Sequence, residues 1–183
     1  EYIWASGVGF NGHPYFGALW FLISLFWAHI IINVLDLTFN GPYKKYLYFG
    51  IGILGLFLGA RGKWLPQNLD VTCLAVLFIA VGIEWKKYEQ LINNHTGIIF
   101  IGASTFWLAC LDRGIYLEFS YRHYPGMSIS ILEALAGAYV ICCICKGIVA
   151  NVYVTKPLIV IGRHTLSILC FHCLDFIVLF IWN

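Results

Sequence analysis

The chain alternates long apolar runs with short polar joints. Its six long runs carry at most one charge each and cover residues 16–35, 46–60, 65–83, 96–111, 124–145 and 165–182. A helix needs about 20 mostly apolar residues to cross a bilayer. Strands of a membrane barrel would instead alternate apolar and polar residues, and these runs are continuous. The pattern predicts an all-α fold, a polytopic transmembrane helix bundle of about six spans in a single domain over residues 1–183.

Composition supports a membrane protein. Of the 183 residues, 61% are hydrophobic and only 11% are charged, whereas soluble domains are about 25% charged. Such a chain cannot cover a soluble surface, and its apolar content excludes intrinsic disorder. The net charge of +2 and the absence of a Lys/Arg run argue against a nucleic-acid partner. We therefore predict that the chain lies in a lipid bilayer.

Basic residues are unequally divided between the two sides of a six-span arrangement. Seven fall on one side: Lys44, Lys45, Lys86, Lys87, Lys146, Lys156 and Arg163. Four fall on the other: Arg61, Lys63, Arg113 and Arg122. The positive-inside rule places the side with seven in the cytoplasm and both ends of this chain outside.

Cysteines and glycines invite two further interpretations. The seven cysteines lie within apolar runs, which favours packing over disulfides or a metal site. The segment 50–55 matches the G-x-G-x-x-G dinucleotide pattern, but that motif requires a preceding strand. Inside an apolar run, Gly55 and Gly59 instead predict a close approach between membrane helices. We therefore expect no metal and no permanently bound cofactor.

Ionisable residues inside the apolar runs are candidates for a site, because each is costly in lipid. Asp70 follows a turn at 66–69, Glu133 lies early in the fifth run, and His172 and Asp175 share a face of the last. The structural alternative makes Asp70 and Glu133 first-turn acids favoured by the helix dipole. It makes His172 and Asp175 a satisfied pair between helices. Arg163 either lies in a loop before the last span or faces a polar pocket.

Three short blocks carry a resemblance to a known family. They occur in the order Trp20-Phe21-Leu22, then Leu65-Pro66-Gln67-Asn68-Leu69-Asp70, then Ile161-Gly162-Arg163-His164-Thr165-Leu166-Ser167-Ile168 with His172 following. In this order they resemble the second half of the acyltransferase 3 family of integral membrane acyltransferases, in its fucose 4-O-acetylase-like branch. Gln67, His164 and Leu169 depart from the Trp, Asn and Tyr common in that family. These departures bear on the identity of the acceptor more than on the assignment to the family.

The resemblance implies an activity. It implies a membrane-embedded O-acyltransferase that moves an acyl group, usually acetyl, from an acyl-CoA-type donor to a hydroxyl. The acceptor would be a cell-envelope carbohydrate or a lipid-linked precursor at the bacterial cytoplasmic membrane. The chain would be a fragment of a longer enzyme of about ten spans. The C-terminus of that family is usually cytoplasmic, whereas the count of lysines and arginines places the end of this chain outside. A miscount of the run 96–111 as a span would reconcile the two. The catalytic His would lie upstream of Glu1, so we expect this chain alone to be inactive.

The resemblance also implies roles for residues of this chain. His172 and Asp70 are the best candidates for the chemistry, and four residues are expected to bind substrate: Trp20, Asn68, Arg163 and Asp175. Acetyl-CoA would be a donor substrate rather than a resident cofactor. The rival interpretation is a transporter or flippase-like protein without chemistry, because polar residues inside the membrane also mark transport pathways. The third interpretation is a purely structural membrane subunit.

Overall fold

The fold is a bundle of helices. A computed structural model describes residues 20–62, 64–149 and 152–171. Its helices are α1 (Trp20–Thr38), α2 (Lys44–Ala60), α3 (Leu69–Lys87), α4 (Glu89–Asn94), α5 (Thr96–Asp112), α6 (Ser128–Val149), α7 (Val152–Arg163) and α8 (Thr165–Phe171). No strand lies in these ranges, and the all-α prediction is confirmed for them.

Among the described residues, fewer helices than expected are long enough to cross a membrane. By length and composition three of them qualify, namely α1, the segment Pro66–Lys87 and α6. The pair α7 and α8, bent by 56°, adds a fourth if it is one span. Helices α2 and α5 have 17 residues each, about 26 Å at 1.5 Å per residue, against a hydrocarbon core of about 30 Å. The described residues therefore support an integral membrane protein, and the six-span count is not confirmed.

Pro157 has an unusual position in its helix. A proline commonly ends the helix before it, but Pro157 lies inside α7. Proline has no backbone N–H, so the helix lacks one hydrogen-bond donor at this position. Pro157 lies little more than one turn after the start of α7. The segment after Arg163 is a bend rather than an extended loop, and the Thr165 hydroxyl donates to the carbonyls of Ile161 and Gly162 at 3.2 and 2.9 Å.

Helices α2 and α3 approach each other along a stripe of glycines. A Cβ at Gly52 would collide with the Leu77 side chain, and one at Gly55 would lie 2.6 Å from the Leu74 backbone nitrogen. A Cβ at Gly59 would collide with the ring of Tyr124. The predicted close approach of two helices is confirmed at Gly55, whereas Gly59 makes room for the Tyr124 side chain of the connection 113–127. Close helix packing therefore explains Gly52 and Gly55, two of the glycines of segment 50–55 that match the dinucleotide pattern.

Helix α1 lies against α3 and runs in the same direction. Ala28 and Ile32 of α1 pack with Val76 and Ala80 of α3 in one buried cluster. A second cluster joins α2 and α3 to the connection 113–127, through the side chain of Tyr124. Helix α6 packs on α5 and α7. The connection 113–127 therefore ties the α1–α2–α3 group to the start of α6.

The bundle has two chemically different ends. We call one the lysine end, because α2 begins there and α3 and α6 end there with Lys44, Lys45, Lys86, Lys87 and Lys146. The opposite, loop end carries the connection 113–127 and the start of α3. Our charge count placed Arg122 among the solvent charges of the loop end, but its side chain is only 2% exposed. Arg61 and Arg113 remain exposed at that end, and Lys63 lies outside the described residues.

The glycine stripe makes a prediction about stability. Gly55→Ala would place a Cβ against backbone atoms of Leu74 and Asp70, which cannot move without displacing α3. We expect it to lower the free energy of unfolding by about 1–3 kcal/mol, the usual cost of overpacking. Gly50→Ala, in the same helix, meets nothing within 4 Å and should be neutral or stabilising. Denaturant unfolding of both variants in detergent checks this, and equal losses would contradict the close packing.

Candidate functional site

A buried ion pair lies at the loop end. Nε of Arg122 donates to Oδ2 of Asp70 at 2.9 Å, and Nη2 reaches Oδ1 of the same carboxylate at 3.4 Å. The exposed fractions of the two side chains are 2% and 0%. This fork-to-fork geometry is the strong form of a charge-assisted hydrogen bond.

Neighbouring groups complete the coordination of this pair. Nη2 of Arg122 donates to Oδ1 of Asn68 at 2.7 Å, and Nη1 donates to the Ser120 carbonyl at 3.0 Å. The Leu65 amide donates to Oδ1 of Asp70 at 3.2 Å. The guanidinium carbon lies 3.9 Å from the centre of the Trp64 ring, a cation–π contact. We call these four groups, together with Asp70 and Arg122, the arginine cluster: Trp64, Leu65, Asn68, Asp70, Ser120 and Arg122.

The turn before α3 presents the acidic half of the cluster. Pro66 opens a single 3-10 turn over Pro66–Asn68, and Gln67 and Asn68 both have left-handed backbones with φ of 58° and 56°. Asparagine tolerates this conformation better than most residues. The turn sends the chain straight into α3, and Asp70 occupies its first turn, where the helix dipole favours an acid. The first-turn interpretation of Asp70 is therefore confirmed, and its role in a site stays a prediction.

A tight reversal presents the basic half. Glu118 and His123 exchange backbone hydrogen bonds of 3.1 and 3.0 Å, which closes the chain around Arg122. Arg122 itself has a left-handed backbone with φ of 53°, and this turns its side chain inward. Beside it, burial and the Asp70 carboxylate raise the pKa of Tyr124, so its phenol stays neutral.

Two buried hydroxyls lie on the other side of α3. Ser24 of α1 and Thr72 of α3 are 1% and 0% exposed, and their hydroxyl oxygens have no hydrogen-bond partner among the described residues. Each lies one turn before a residue of the α1–α3 cluster, Ala28 and Val76. Buried polar atoms without partners are uncommon and call for an explanation.

The structure brings together only part of the predicted site. Asn68 and Asp70 are joined in the arginine cluster. Trp20 begins α1, and α1 contacts the turn Pro66–Asn68. Arg163 is exposed at the end of α7, which packs on α6 alone among the described helices. His172 and Asp175 lie outside the described residues, and their roles stay predictions.

The carboxylate of Asp70 is fully engaged within the protein. Both of its oxygens accept hydrogen bonds, from Arg122 and from the Leu65 amide. The carboxylate therefore faces a cation of the same chain and is not left open to a substrate. Among the residues that the structure covers, no group of three His, Cys, Asp or Glu side chains is arranged to hold a metal ion.

Sequence reasoning missed Arg122 and Trp64 as cluster members. Arg122 stands in a polar connection, where an arginine usually serves topology, and it pairs with a residue 52 positions away. The available signal was physical: an acid inside an apolar run needs a cation. Comparison with protein families, curated proteins and solved structures found no match for this chain.

The arginine cluster makes a stability prediction. Arg122→Met leaves the Asp70 charge buried without its partner, and we expect a loss of about 3–5 kcal/mol in the free energy of unfolding. Arg113→Met is the matched control, because Arg113 is an exposed arginine at the same end. Unfolding in detergent, followed by circular dichroism, measures both.

A double-mutant cycle separates the pair from a general loss of packing. Asp70→Asn with Arg122→Met removes both charges, so the double variant should be more stable than the sum of the single losses predicts, by about 0.5–3 kcal/mol. Strict additivity would show that the two side chains do not interact.

Proposed function

We propose that this chain belongs to a membrane-embedded O-acyltransferase. The enzyme transfers an acyl group, usually acetyl, from an acyl-CoA-type donor to a hydroxyl of a cell-envelope carbohydrate or lipid-linked precursor. Its place is the bacterial cytoplasmic membrane. The proposal starts from the resemblance of three ordered sequence blocks to the acyltransferase 3 family.

One structural observation supports it most. The block at Trp20 and the block ending at Asp70 are 50 residues apart in sequence, yet the helix that begins with the first contacts the turn of the second. In the second block, Asn68 and Asp70 are completely buried polar residues held by Arg122. A site needs such a rigid supporting shell to hold its substrate in place.

The reaction requires two kinds of group. The acceptor oxygen attacks the thioester carbonyl, a C–O bond forms and the C–S bond breaks. A general base takes the hydroxyl proton, and the coenzyme leaves as its thiol with a proton. Donors must stabilise the negative oxygen of the intermediate. The resemblance expects the main base upstream of Glu1 and makes His172 the candidate in this chain, while the arginine cluster holds the walls of the acceptor side.

The test is acetyl transfer by the natural full-length protein in native membranes. With radiolabelled acetyl-CoA, we expect label in an envelope carbohydrate or lipid-linked fraction. His172→Ala should lower the initial rate at least about tenfold, a difference of 1.4 kcal/mol in the barrier. His29→Ala is the control, because His29 is an exposed histidine of α1 whose Nδ1 bonds only the Leu25 carbonyl at 2.8 Å.

Two results would count against the proposal. If His172→Ala lowers thermal stability and leaves specific activity unchanged, His172 is structural and leaves the site. If the wild-type protein moves an unmodified carbohydrate lipid across the membrane and no acetyl label is incorporated, the transporter interpretation replaces the transferase.

A further inference from the structure

A groove separates α3 from α6 near the lysine end. It has a volume of about 430 Å³, within the range of roughly 300–1,000 Å³ typical of small-ligand sites. Phe78 and Val81 of α3 face Leu135 and Ala138 of α6 across it. The rings of Trp85 and Tyr139 meet with their centres 5.2 Å apart. The walls of this groove are therefore apolar and aromatic.

The mouth of the groove is cationic. Lys86 and Lys146 border it together with Glu89, so two positive charges face one negative charge. Lys146 lies 3.2 Å from the Glu89 carboxylate. Lys86 has no ion-pair partner among the described residues. One positive charge at the mouth is left to be balanced by a ligand.

We propose that this groove binds one anionic phospholipid, with an acyl chain along the apolar walls and the phosphate at Lys86 and Lys146. The apolar length excludes a small soluble anion as the best fit, and the surplus lysine disfavours a zwitterionic lipid. The positive-inside rule places the lysine end at the cytoplasmic leaflet, where anionic lipids are found and basic pockets between helices bind their head groups. The inference is independent of the proposed acyl transfer.

A second cavity at the same end provides the contrast. Its volume is about 410 Å³, and its lining carries five charges: Asp36, Lys44, Lys45, Glu84 and Lys87. Lys44 and Lys87 are already paired with Asp36 and Glu84 at 2.9 and 2.6 Å. Phe49, Ala80 and Ile83 also line this cavity, but its walls carry five charged residues against three in the α3–α6 groove, so a lipid is expected in the α3–α6 groove.

Native mass spectrometry of the natural protein, titrated with dioleoyl phosphatidylglycerol or dioleoyl phosphatidylcholine, tests the proposal. Phosphatidylglycerol should bind more tightly. Lys86→Gln with Lys146→Gln should weaken it about thirtyfold, the equivalent of about 1 kcal/mol for each lysine. Lys45→Gln with Lys87→Gln is the matched control, because it also removes one paired and one unpaired lysine from the same end. The control should leave the affinity close to wild type.

A second pair of variants tests the apolar part. Gly82 lines the groove, and a Cβ there meets nothing within 4 Å, so Gly82→Leu fills the space without straining the backbone. It should weaken phosphatidylglycerol binding with both lysines intact. Gly102→Leu in α5 is the control, because a Cβ at Gly102 also meets nothing within 4 Å.

Three outcomes would overturn the proposal. Equal affinity for the two lipids would show that the groove does not recognise the negative charge of the head group. Equal losses in the two lysine pairs would indicate general surface attraction. Full competition by soluble glycerol phosphate, with no effect of Gly82→Leu, would assign the lysines to a phosphate and leave the groove without a lipid.

Discussion

The pairing of Arg122 with Asp70 is the constraint on which the loop end depends. Neither charge is stable alone inside an apolar bundle, because an unpaired buried ion costs several kcal/mol. Satisfying both therefore fixes two distant segments at once, the start of α3 and the connection 113–127. That connection then places Tyr124 against α2 and α3. The position of α6, which begins at Ser128, follows from the same contact.

The glycine stripe and the ion pair are coupled through α3. Gly55 lies so close to this helix that a Cβ there would be 2.9 Å from the Asp70 carbonyl oxygen. Because Gly52 and Gly55 of α2 have no side chains, α3 packs closely against α2, and the first turn of α3 is then within reach of Arg122. Close packing in lipid relies on van der Waals contact rather than on a hydrophobic driving force. A shift of α2 would therefore disturb both the packing and the polar network.

The sequence predicts the helices better than it predicts the site. Continuous apolar runs define helices that overlap α1, α2, α3, α5 and α6, because backbone groups in lipid must bond within their own segment. Their lengths are less predictable, since the turn at 66–68 and the reversal at 118–123 depend on left-handed residues. Asp70 and Asn68 could be singled out as polar residues in an apolar setting. Arg122 could not, because its partner is 52 residues away and nothing local distinguishes it from an exposed arginine.

The two ends of the bundle suit different tasks for a physical reason. At the loop end, the charges of Asp70 and Arg122 neutralise each other out of solvent, which gives rigid geometry and little long-range field. At the lysine end, the charges are exposed and positive charges outnumber negative ones, which attracts anions. Selective recognition of an acceptor needs the first arrangement, and contact with an anionic leaflet needs the second. For the proposed transfer, an acyl donor arriving at the lysine end and an acceptor held near the loop end would be separated by up to the hydrocarbon thickness of about 30 Å. The acyl donor and the acceptor hydroxyl must therefore meet between the two ends, inside the membrane. A histidine within a span could reach them there, whereas a residue at either membrane surface could not.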